Sequence, residues 1–464
     1  MTICRRALHT EVESAAPLSV AADMINEECE MTTDIVSDVT PTDGGRGTHT
    51  GVRSRPQGPI TKSVLNPQYP MSYWQIAFSE DVAKESVIPL RILERDVVLW
   101  RDAGGVLHCA AAHCLHLGAH LGYGGEVVDN TLRCPFHAWR YNADGKVVHV
   151  PGLTEAPKTK ACLPTYRVIE RYGTVFLWNG PKPPDHELPD FLADEGIDEH
   201  SIIFEHVRYK LPFPAKWFVE NLPDSAHFAG LHRLGSWGDT EIISKSDTRL
   251  EYICHFYGRA PYVGWEDLKR SYRRGEMWGV SDAAGGDFHA TTYGGGLHLI
   301  DLTASPPELV ESRAKVTARL PRAVIALTEK VNELSDSARL ILSFTPVEAD
   351  SHIVYLTMIV PKITNPALRV LGRPIVRSLL VRRNWFAIMQ DTALMIHRQE
   401  PEHPAYNKFD RGLVKFRRFW DSRLLDRGLW AGDNVHSAGA RAGCDWPDDP
   451  TRVTTGNGSA GGVR

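Results

Sequence analysis

Two short loops, each with one cysteine and one histidine, constrain this chain more than any other feature. The first is Cys114-Leu-His116, and the second, Cys134-Pro-Phe-His137, follows after 17 residues. Thiolate and imidazole are both metal ligands, so each loop can supply one sulfur and one nitrogen. Glycine is frequent between the two pairs, which allows tight backbone close to a metal centre. The spacing predicts two facing loops that share one site.

A [2Fe–2S] cluster with two thiolates on one iron and two imidazoles on the other needs this arrangement. Zinc is the alternative, but structural zinc sites usually draw on C-x₂₋₄-C pairs, and both pairs here are mixed. The flanking sequence, from about Tyr69 to Gly180, consists of short apolar runs separated by Gly, Asp and Asn turns. That pattern is typical of β-structure. The sequence therefore favours an iron–sulfur cluster on an all-β domain.

A second group of metal-ligand residues lies in the segment 217–232, which contains Asp224, His227 and His232. Asp224 and His227 are three residues apart and would share one helix face. His232 is five residues after His227, and an ideal helix would turn it ~140° away. For both rings to bind one metal, the helix must loosen or end near Gly230. Taken alone, these histidines are interpreted equally well as ordinary core residues.

Asp391 is the candidate for a third ligand. Two histidines and one carboxylate on one face of the metal are typical of non-haem Fe(II) oxygenases. Asp391 lies in the apolar helical stretch RNWFAIMQDTALMIHRQ, which predicts an inward-facing side chain. A buried carboxylate needs a partner, and a metal ion is one. In isolation Asp391 would be a surface or salt-bridged residue; with the two histidines it predicts a mononuclear iron site.

Together the two groups resemble the catalytic α subunits of Rieske non-haem iron oxygenases, over about Tyr69 to Leu425. The branch that the chain resembles includes ketosteroid 9α-hydroxylase oxygenases and cholesterol 7-desaturases, and oxidative carbocyclases of prodiginine biosynthesis are similar. The matching residues are Val219-Glu220-Asn221, Asp224, Ala226-His227-Phe228, His232, Gln390-Asp391 and the run from Gly412 to Trp420.

The resemblance implies two metal cofactors, with O₂ as co-substrate. The cluster would be held by Cys114, His116, Cys134 and His137, and a mononuclear Fe(II) by His227, His232 and Asp391. The resemblance also gives Asp224 a catalytic role as the acid that links His227 to the cluster histidine of a neighbouring subunit, which implies a homotrimer.

The cluster loops also indicate the type of Rieske centre. Respiratory Rieske proteins have an extra cysteine in each loop, where this chain has Ala119 and Phe136. We therefore expect the oxygenase type, with fewer polar donors to the cluster and a lower reduction potential. Two residues depart from the usual pattern: Leu115, and Ala138 in place of glycine after the second histidine.

The predicted fold class is α+β. We expect a disordered extension at 1–66, an all-β Rieske domain at 67–182, a catalytic domain at 183–430 and a flexible tail at 431–464. The catalytic domain is predicted to combine a helix-grip-like antiparallel sheet with helices. Predicted strands are Ile202–Lys210, Leu340–Val347 and Ile353–Val360, and predicted helices are Pro214–His232 and Val376–Arg398.

The predicted function is O₂-dependent oxidation of a hydrophobic, polycyclic small molecule, either steroid-like or a secondary metabolite, by a monooxygenase or oxidase. One alternative is oxidative carbocyclisation on the same scaffold, and another is a Rieske electron-transfer protein without oxygenase activity. A third is a zinc-stabilised binding module. No G-x-G-x-x-G follows a predicted strand, so we expect electrons from a separate reductase, with a ferredoxin as a further partner.

Charge and hydropathy exclude other classes of partner. The chain has 52 Lys and Arg against 57 Asp and Glu, a net charge of −5, which gives no field for binding nucleic acid. No apolar run is long enough for a transmembrane helix, and the first ten residues are not followed by an apolar signal region. We therefore expect a cytoplasmic protein.

Two further sets of residues have open interpretations. Aromatic residues of the second domain suit a polycyclic substrate, although they can equally be core; they are Trp217, Trp237, Phe288, Tyr293 and Trp385. Basic clusters are either solvated surface charge or a docking site for an acidic electron donor; they are Arg270, Arg273 and Arg274, and Arg417 with Arg418.

Overall fold

The computed structural model contains two compact units, and each is described by itself. The described residues are 64–155, 159–181, 183–194, 196, 202–232, 238–255, 287–301, 339–361 and 365–425. Of these, residues 64–185 and 424–425 belong to the N-terminal unit, and 186–423 belong to the C-terminal unit. The predicted terminal extensions, 1–66 and 431–464, lie outside the described residues except for 64–66.

The N-terminal unit consists of three antiparallel sheets, with strand orders β1-β11-β10, β2-β3-β4-β9 and β5-β6-β7-β8. The strands are β1 Ser72–Phe78, β2 Val87–Ile92, β3 Arg95–Arg101, β4 Leu107–Ala111, β5 Glu126–Val128, β6 Thr131–Arg133, β7 Arg140–Tyr141, β8 Val147–His149, β9 Thr165–Tyr166, β10 Val168–Arg171 and β11 Thr174–Asn179.

Buried aromatic residues form the core of this unit. Trp74, Trp100 and Trp178 are each below 2% exposed, and each lies on a strand. Arg101 of β3 binds both carboxylate oxygens of Glu170 on β10, at 2.9 and 3.0 Å, and so joins two of the sheets. The loops that follow β4 and β6 extend from this core and bear the cysteine and histidine pairs.

The C-terminal unit contains a seven-stranded antiparallel sheet in the order β12-β18-β17-β16-β15-β14-β13. Its strands are β12 Ile203–Leu211, β13 Thr240–Lys245, β14 Arg249–His255, β15 Asp287–Tyr293, β16 Leu297–Asp301, β17 Arg339–Glu348 and β18 Ser351–Val360. The central strands β17 and β18 are buried on both faces, which explains their nearly continuous apolar sequence.

The described helical segments of this unit are α1 Phe191–Asp194, α2 Ala215–Val219, α3 Ser225–Gly230, α4 Pro366–Met395 and α5 Arg411–Ser422, with a 3₁₀ turn at Lys408–Asp410. Residues of α2 and α4, and the residues between α2 and α3, contact one face of the sheet. The Phe191 ring of α1 lies 5.8 Å from that of Tyr293, which is on the other face. The strand register places Glu205, Phe344 and Cys254 on the same face. Glu205 pairs with Arg373 of α4, the Phe344 ring lies 5.2 Å from that of Phe218 in α2, and the Cys254 thiol donates to the Leu222 carbonyl.

The predicted α+β class, with an all-β first domain and an antiparallel sheet in the second, is confirmed. The predicted helix Pro214–His232 is wrong as one element, because Pro223 lacks an N–H and separates α2 from α3. The predicted helix Val376–Arg398 begins ten residues earlier, at Pro366, and ends at Met395. In the part of the chain that the structure describes, no helix is both long and apolar enough to cross a membrane.

His352 of β18 is a buried histidine on the helix-covered face of the sheet. Its Nδ1–H donates to the Phe213 carbonyl at 2.7 Å, so Nε2 is the unprotonated nitrogen. Nε2 has no hydrogen-bond partner among the described residues, and the side chain is 0% exposed. A proton there would place a charge in apolar surroundings, so burial lowers the pKa of His352 to about 4.

This histidine should make folding sensitive to acid. Its contribution is fully present above the unfolded pKa of about 6.5 and is lost as the pH falls towards 4. Between pH 7 and 5 the wild-type chain should lose about 2 kcal/mol more unfolding free energy than His352→Asn, which keeps the donor to Phe213. Urea titrations at the two pH values measure this difference, and equal losses would show that His352 is not held neutral.

Candidate metal centres

The first cysteine–histidine loop follows β4 and closes on itself through backbone hydrogen bonds. Cys114 N–H donates to the Ala119 carbonyl, and Gly118 N–H donates to the Cys114 carbonyl, both at 2.9 Å. Gly118 has a φ of +73°, in the left-handed region that glycine adopts without steric cost. The turn leaves the cysteine buried and His116 exposed at its tip.

The second loop, between β6 and β7, repeats the same pattern. Cys134 N–H donates to the Trp139 carbonyl at 2.8 Å, and Ala138 N–H donates to the Cys134 carbonyl at 3.1 Å. Ala138 occupies the position of Gly118 and has a φ of +55°. Because its Cβ crowds the backbone in this region, the departure from glycine stores local strain of about 1 kcal/mol.

The four side chains are arranged as the cluster requires. The Cys114 and Cys134 thiols are buried and close enough to raise the pKa of Cys114 by their interaction, although burial is the larger cause. The His116 and His137 rings are exposed, with centroids 4.8 Å apart and planes at 70°. One sulfur pair on the inside and one nitrogen pair on the outside fit the two irons of a Rieske centre.

Two aromatic residues hold these side chains in place. Trp139 stacks on the His116 ring, with centroids 4.6 Å apart and planes within 4°. The Tyr141 hydroxyl accepts from Leu115 N–H and lies 3.0 Å from Cys114 Sγ, so its proton is directed at the sulfur. The Tyr141 hydroxyl is therefore one polar donor to the cluster, and sequence reasoning missed both aromatic residues.

The second candidate centre lies in the C-terminal unit. One ligand atom from each of His227, His232 and Asp391 lies within 4.8 Å of the others. His232 Nε2 is 3.5 Å from Asp391 Oδ1, and the two imidazole rings are 5.0 Å apart. All three side chains are largely shielded from solvent. Two nitrogens and one carboxylate oxygen fit the donor set of a facial non-haem iron site.

The backbone after α3 explains how two histidines five residues apart meet. The N–H of Leu231 donates to the His227 carbonyl at 2.7 Å, and the N–H of His232 donates to the same oxygen at 3.3 Å. The second bond spans five residues, as in a π-turn, and widens the helix. The loosening near Gly230 that the spacing requires is therefore present.

Neighbouring groups fix the orientation of each ligand. His227 Nδ1 donates to the Asp224 carbonyl at 2.6 Å, and His232 Nδ1 donates to Gln390 Oε1 at 2.9 Å. Both Nε2 atoms are thus the ones available to a metal. Asn221 Nδ2 donates to Asp391 Oδ1 at 3.0 Å and holds the carboxylate. Gln390 directly precedes Asp391, and Asn221 lies six residues before His227, but nothing in the sequence indicated these contacts.

Asp224 differs from its predicted position on a helix face. It is the N-cap of α3, and its Oδ1 accepts from the N–H groups of Ala226 and His227 at 3.0 and 3.3 Å. A carboxylate at this position satisfies free N–H groups of the first turn. Its Oδ2 is 4.0 Å from His227 Nδ1, so the carbonyl rather than the carboxylate holds the imidazole.

The electrostatics of the two histidines differ. Burial lowers the pKa of His227, which keeps its ring neutral, the form that binds metals. For His232 burial acts in the same direction, but the bonds to Asp391 and Gln390 outweigh it and raise the pKa. A metal ion at this site would therefore compete with a proton for His232.

The structure assigns other roles to two of the remaining candidates. Arg417 pairs with Glu220 at 2.7 Å, so both interpretations of it, as surface charge or as a docking site, are wrong. Trp217 donates from Nε1 to Glu400 at 2.8 Å. The basic cluster Arg270, Arg273 and Arg274 lies outside the described residues, as do Trp237 and the side chains of Phe288 and Trp385.

Comparison with known proteins identifies the first centre. The family described as "Rieske [2Fe-2S] domain" matches residues 72–167, within the predicted first domain. Residues 72–167 are therefore a Rieske domain, and the predicted [2Fe–2S] cofactor is confirmed.

Curated relatives extend the likeness to oxygenases. The chain is 34% identical to the aminopyrrolnitrin oxygenase of Pseudomonas fluorescens over 167 residues, which cover 35% of this chain and 46% of that protein. It is 35% identical to the cholesterol 7-desaturase of Bombyx mori over 221 residues, which cover 47% and 45%. The chain thus spans a little under half the length of each relative, and the resemblance to Rieske oxygenases is confirmed.

A solved structure shows that the fold is shared. The oxygenase of carbazole 1,9a-dioxygenase, crystallised with carbazole and its ferredoxin, is 15% identical to the chain, with a TM-score of 0.55. The match covers 81% of this chain and 94% of that one. At this identity the likeness establishes the fold alone.

The strain at Ala138 predicts a stabilising substitution. Ala138→Gly should raise the unfolding free energy of the N-terminal unit by about 1 kcal/mol, because glycine tolerates the positive φ. Ala119→Gly is the matched control: its φ is not positive, so the change should destabilise. Denaturant titrations followed by the cluster absorbance measure both variants. A lower stability for Ala138→Gly would contradict the strain.

The Tyr141 hydrogen bond predicts a shift in reduction potential. A bond to the cysteine sulfur stabilises the more negative, reduced cluster, so Tyr141→Phe should lower the potential. A loss of ~1 kcal/mol corresponds to about 40 mV for one electron. Protein-film voltammetry checks the shift, with Tyr123→Phe, an exposed tyrosine whose ring lies 4.6 Å from that of His120, as the control. An unchanged reduction potential in Tyr141→Phe would show that the Tyr141 hydroxyl does not stabilise the reduced cluster.

The three candidate ligands His227, His232 and Asp391, called the triad from here on, predict a variant that loses one metal centre and keeps the other. Asp391→Ala should lose the mononuclear metal and keep the cluster colour, so iron should fall from about three to about two per chain. Asp421→Asn, a half-exposed aspartate on α5, should keep all of its iron. Full iron content in Asp391→Ala would show that Asp391 is not a ligand.

Proposed function

We propose that this chain is the terminal oxygenase of a Rieske non-haem iron system that oxidises a hydrophobic, polycyclic small molecule. The observation that carries the proposal is the convergence of His227, His232 and Asp391 in a chain that also contains a Rieske domain. A protein that only transfers electrons through a Rieske cluster does not need a second, buried set of two histidines and one carboxylate. The proposed cytoplasmic location would give its reductase access to nicotinamide cofactors.

The donor set suits this chemistry because it is incomplete. Three protein ligands on one side leave coordination positions for O₂ on the other. When bound, Fe(II) would supply O₂ activation, and the cluster would supply electrons. The chain itself fixes the ligands: the Asp224 carbonyl and Gln390 orient the imidazoles, and Asn221 orients the carboxylate.

The electron partners and oligomeric state are part of the same proposal. Electrons would come from a separate reductase through a ferredoxin, as the carbazole oxygenase was crystallised with one. In a homotrimer Asp224 would accept a hydrogen bond from His137 of the partner subunit. The Asp224 side chain is 23% exposed, and its cap uses Oδ1, so Oδ2 is available for such a bond.

The substrate class is proposed from two relatives with apolar substrates. The carbazole oxygenase and the cholesterol 7-desaturase are named for a tricyclic aromatic and a steroid. Steroid oxidation is the first candidate reaction, and a prodiginine-type substrate that would be cyclised is the second to screen.

A single-turnover experiment tests the proposal. The cluster is reduced chemically, the reductant is removed, and O₂ is added with a steroid or a prodiginine-type substrate. The wild-type chain should reoxidise its cluster and form product, whereas Asp391→Ala should do neither. Product formation by Asp391→Ala at the wild-type rate would overturn the proposal, as would a wild type whose cluster reoxidises without any product across the screen.

Asp224→Asn gives a sharper prediction within the same experiment. Asparagine is as good an N-cap as aspartate, so α3 and both metals should be retained. The carboxylate is lost, so cluster reoxidation with substrate and O₂ should slow by about 10²-fold or more. Stopped-flow absorbance measures the rate, and an unchanged rate would remove Asp224 from the electron path.

A further inference from the structure

A buried carboxylate lies next to the segment that bears the candidate metal ligands. Glu220 follows α2 directly, precedes Asn221 in the chain, and has a side chain only 3% exposed. Its Oε2 accepts from Arg398 Nη2 at 2.9 Å and from Arg417 Nη2 at 2.7 Å. Arg398 follows α4, the helix of Asp391, and Arg417 lies on α5. Glu220 therefore joins three segments of the C-terminal unit.

Glu220 belongs to an electrically balanced cluster in which Glu220 itself is buried and Glu400 is 40% exposed. Glu400 Oε1 lies 3.1 Å from Arg417 Nη2, so two arginines face two glutamates. Trp217 Nε1 donates to Glu400 at 2.8 Å, and the Arg398 guanidinium lies 5.1 Å from the centre of the Trp217 ring. The network limits the movement of Glu220, because a displaced Glu220 carboxylate would be left buried without a partner.

The cluster connects the two segments that supply the ligands. His227 and His232 follow Glu220 within 12 residues, and Asp391 precedes Arg398 by seven. The segments also meet at the bond from Asn221 to Asp391. Since Asn221 is the next residue after Glu220, a movement of Glu220 shifts the amide that orients the Asp391 carboxylate.

We propose that Glu220 is a positioning residue of the metal site: it holds Asn221 against Asp391 by binding Arg398 and Arg417. The inference rests on the proposed function, because it assumes that the triad binds iron. Hydrophobic contacts alone could keep the segments together, but they do not direct an amide at one carboxylate oxygen. The ion pairs of the buried Glu220 carboxylate supply that direction.

Iron affinity is the first measurement. The full chain, with its cluster intact, is freed of mononuclear iron by a chelator and titrated with Fe(II) anaerobically. Glu220→Gln, which keeps size and loses charge, should raise the Kd for Fe(II) by about 10- to 100-fold. The EPR signal of the site with nitric oxide as a probe should change shape, while the cluster spectrum stays unchanged. Glu220→Asp should give a Kd between those of the other two proteins.

The matched control is a second ion pair, which joins α2 to α5. Lys216 and Asp421 join the same helices at 3.8 Å, but their side chains are 35% and 47% exposed. An exposed pair contributes little, so Asp421→Asn should change the Kd less than about threefold. An equal effect in both variants would mean that any loosening of the helices weakens the site, and would overturn the specific role of Glu220.

A double-variant cycle separates positioning from general stability. Asn221→Ala should weaken Fe(II) binding on its own, since it frees the Asp391 carboxylate. If Glu220 acts through Asn221, adding Glu220→Gln to that variant should change the Kd less than about threefold. Independent, multiplying effects would contradict the inference, as would a Glu220→Gln protein with wild-type Kd and EPR signal.

A second variant covers the case in which Glu220→Gln does not fold. Glu220→Gln combined with Arg417→Gln leaves Arg398 and Glu400 as a balanced pair, so no charge is stranded. It should fold and show the same weakened Fe(II) binding, and wild-type binding would overturn the inference. If the wild-type chain itself binds no metal at the triad, the proposed function fails first, which is a distinct outcome.

Discussion

The hydrogen bond from Asn221 to Asp391 joins two segments that are 170 residues apart in the chain. One segment carries His227 and His232, and the other is the long helix that ends at Met395. Without a fixed contact between them, three polar side chains would lie buried with no common geometry, which is costly. The bond from His232 to Gln390 and the ion cluster around Glu220 reinforce the same junction. The proposed iron chemistry depends on this junction.

The Rieske centre is built on a different physical principle. Its four side chains come from two loops close in sequence, and each loop closes through bonds among its own residues. For each loop to close in this way, the ligands need the right spacing, and the backbone must adopt a positive φ at Gly118 and at Ala138. The geometry of this site is therefore determined by the two short motifs, and the strands next to the loops support them. Only the finer environment, such as the Tyr141 hydroxyl beside Cys114, comes from the surrounding fold.

This difference explains how much the sequence alone predicted. Motif spacing was enough to bring together the candidate ligands of both centres, and alternating or apolar runs located the central strands. Ligand spacing did not separate α2 from α3 or place Asp224 at a helix cap. Those features follow from the local residue types, because Pro223 breaks the helix and Asp224 caps the next one. Arg417 was misinterpreted because its partner, Glu220, lies 197 residues away in the chain. Sequence periodicity predicts local contacts and not a pair this far apart.

The central claim is that one chain builds two different iron sites, and chemical analysis of the purified protein tests it most directly. Iron and acid-labile sulfide are counted per chain, with Mössbauer spectra to distinguish a coupled pair of irons from an isolated one. The account predicts about three irons and about two sulfides, with one iron giving the signal of an isolated high-spin Fe(II). Two irons and two sulfides in a protein supplied with excess Fe(II) would contradict it.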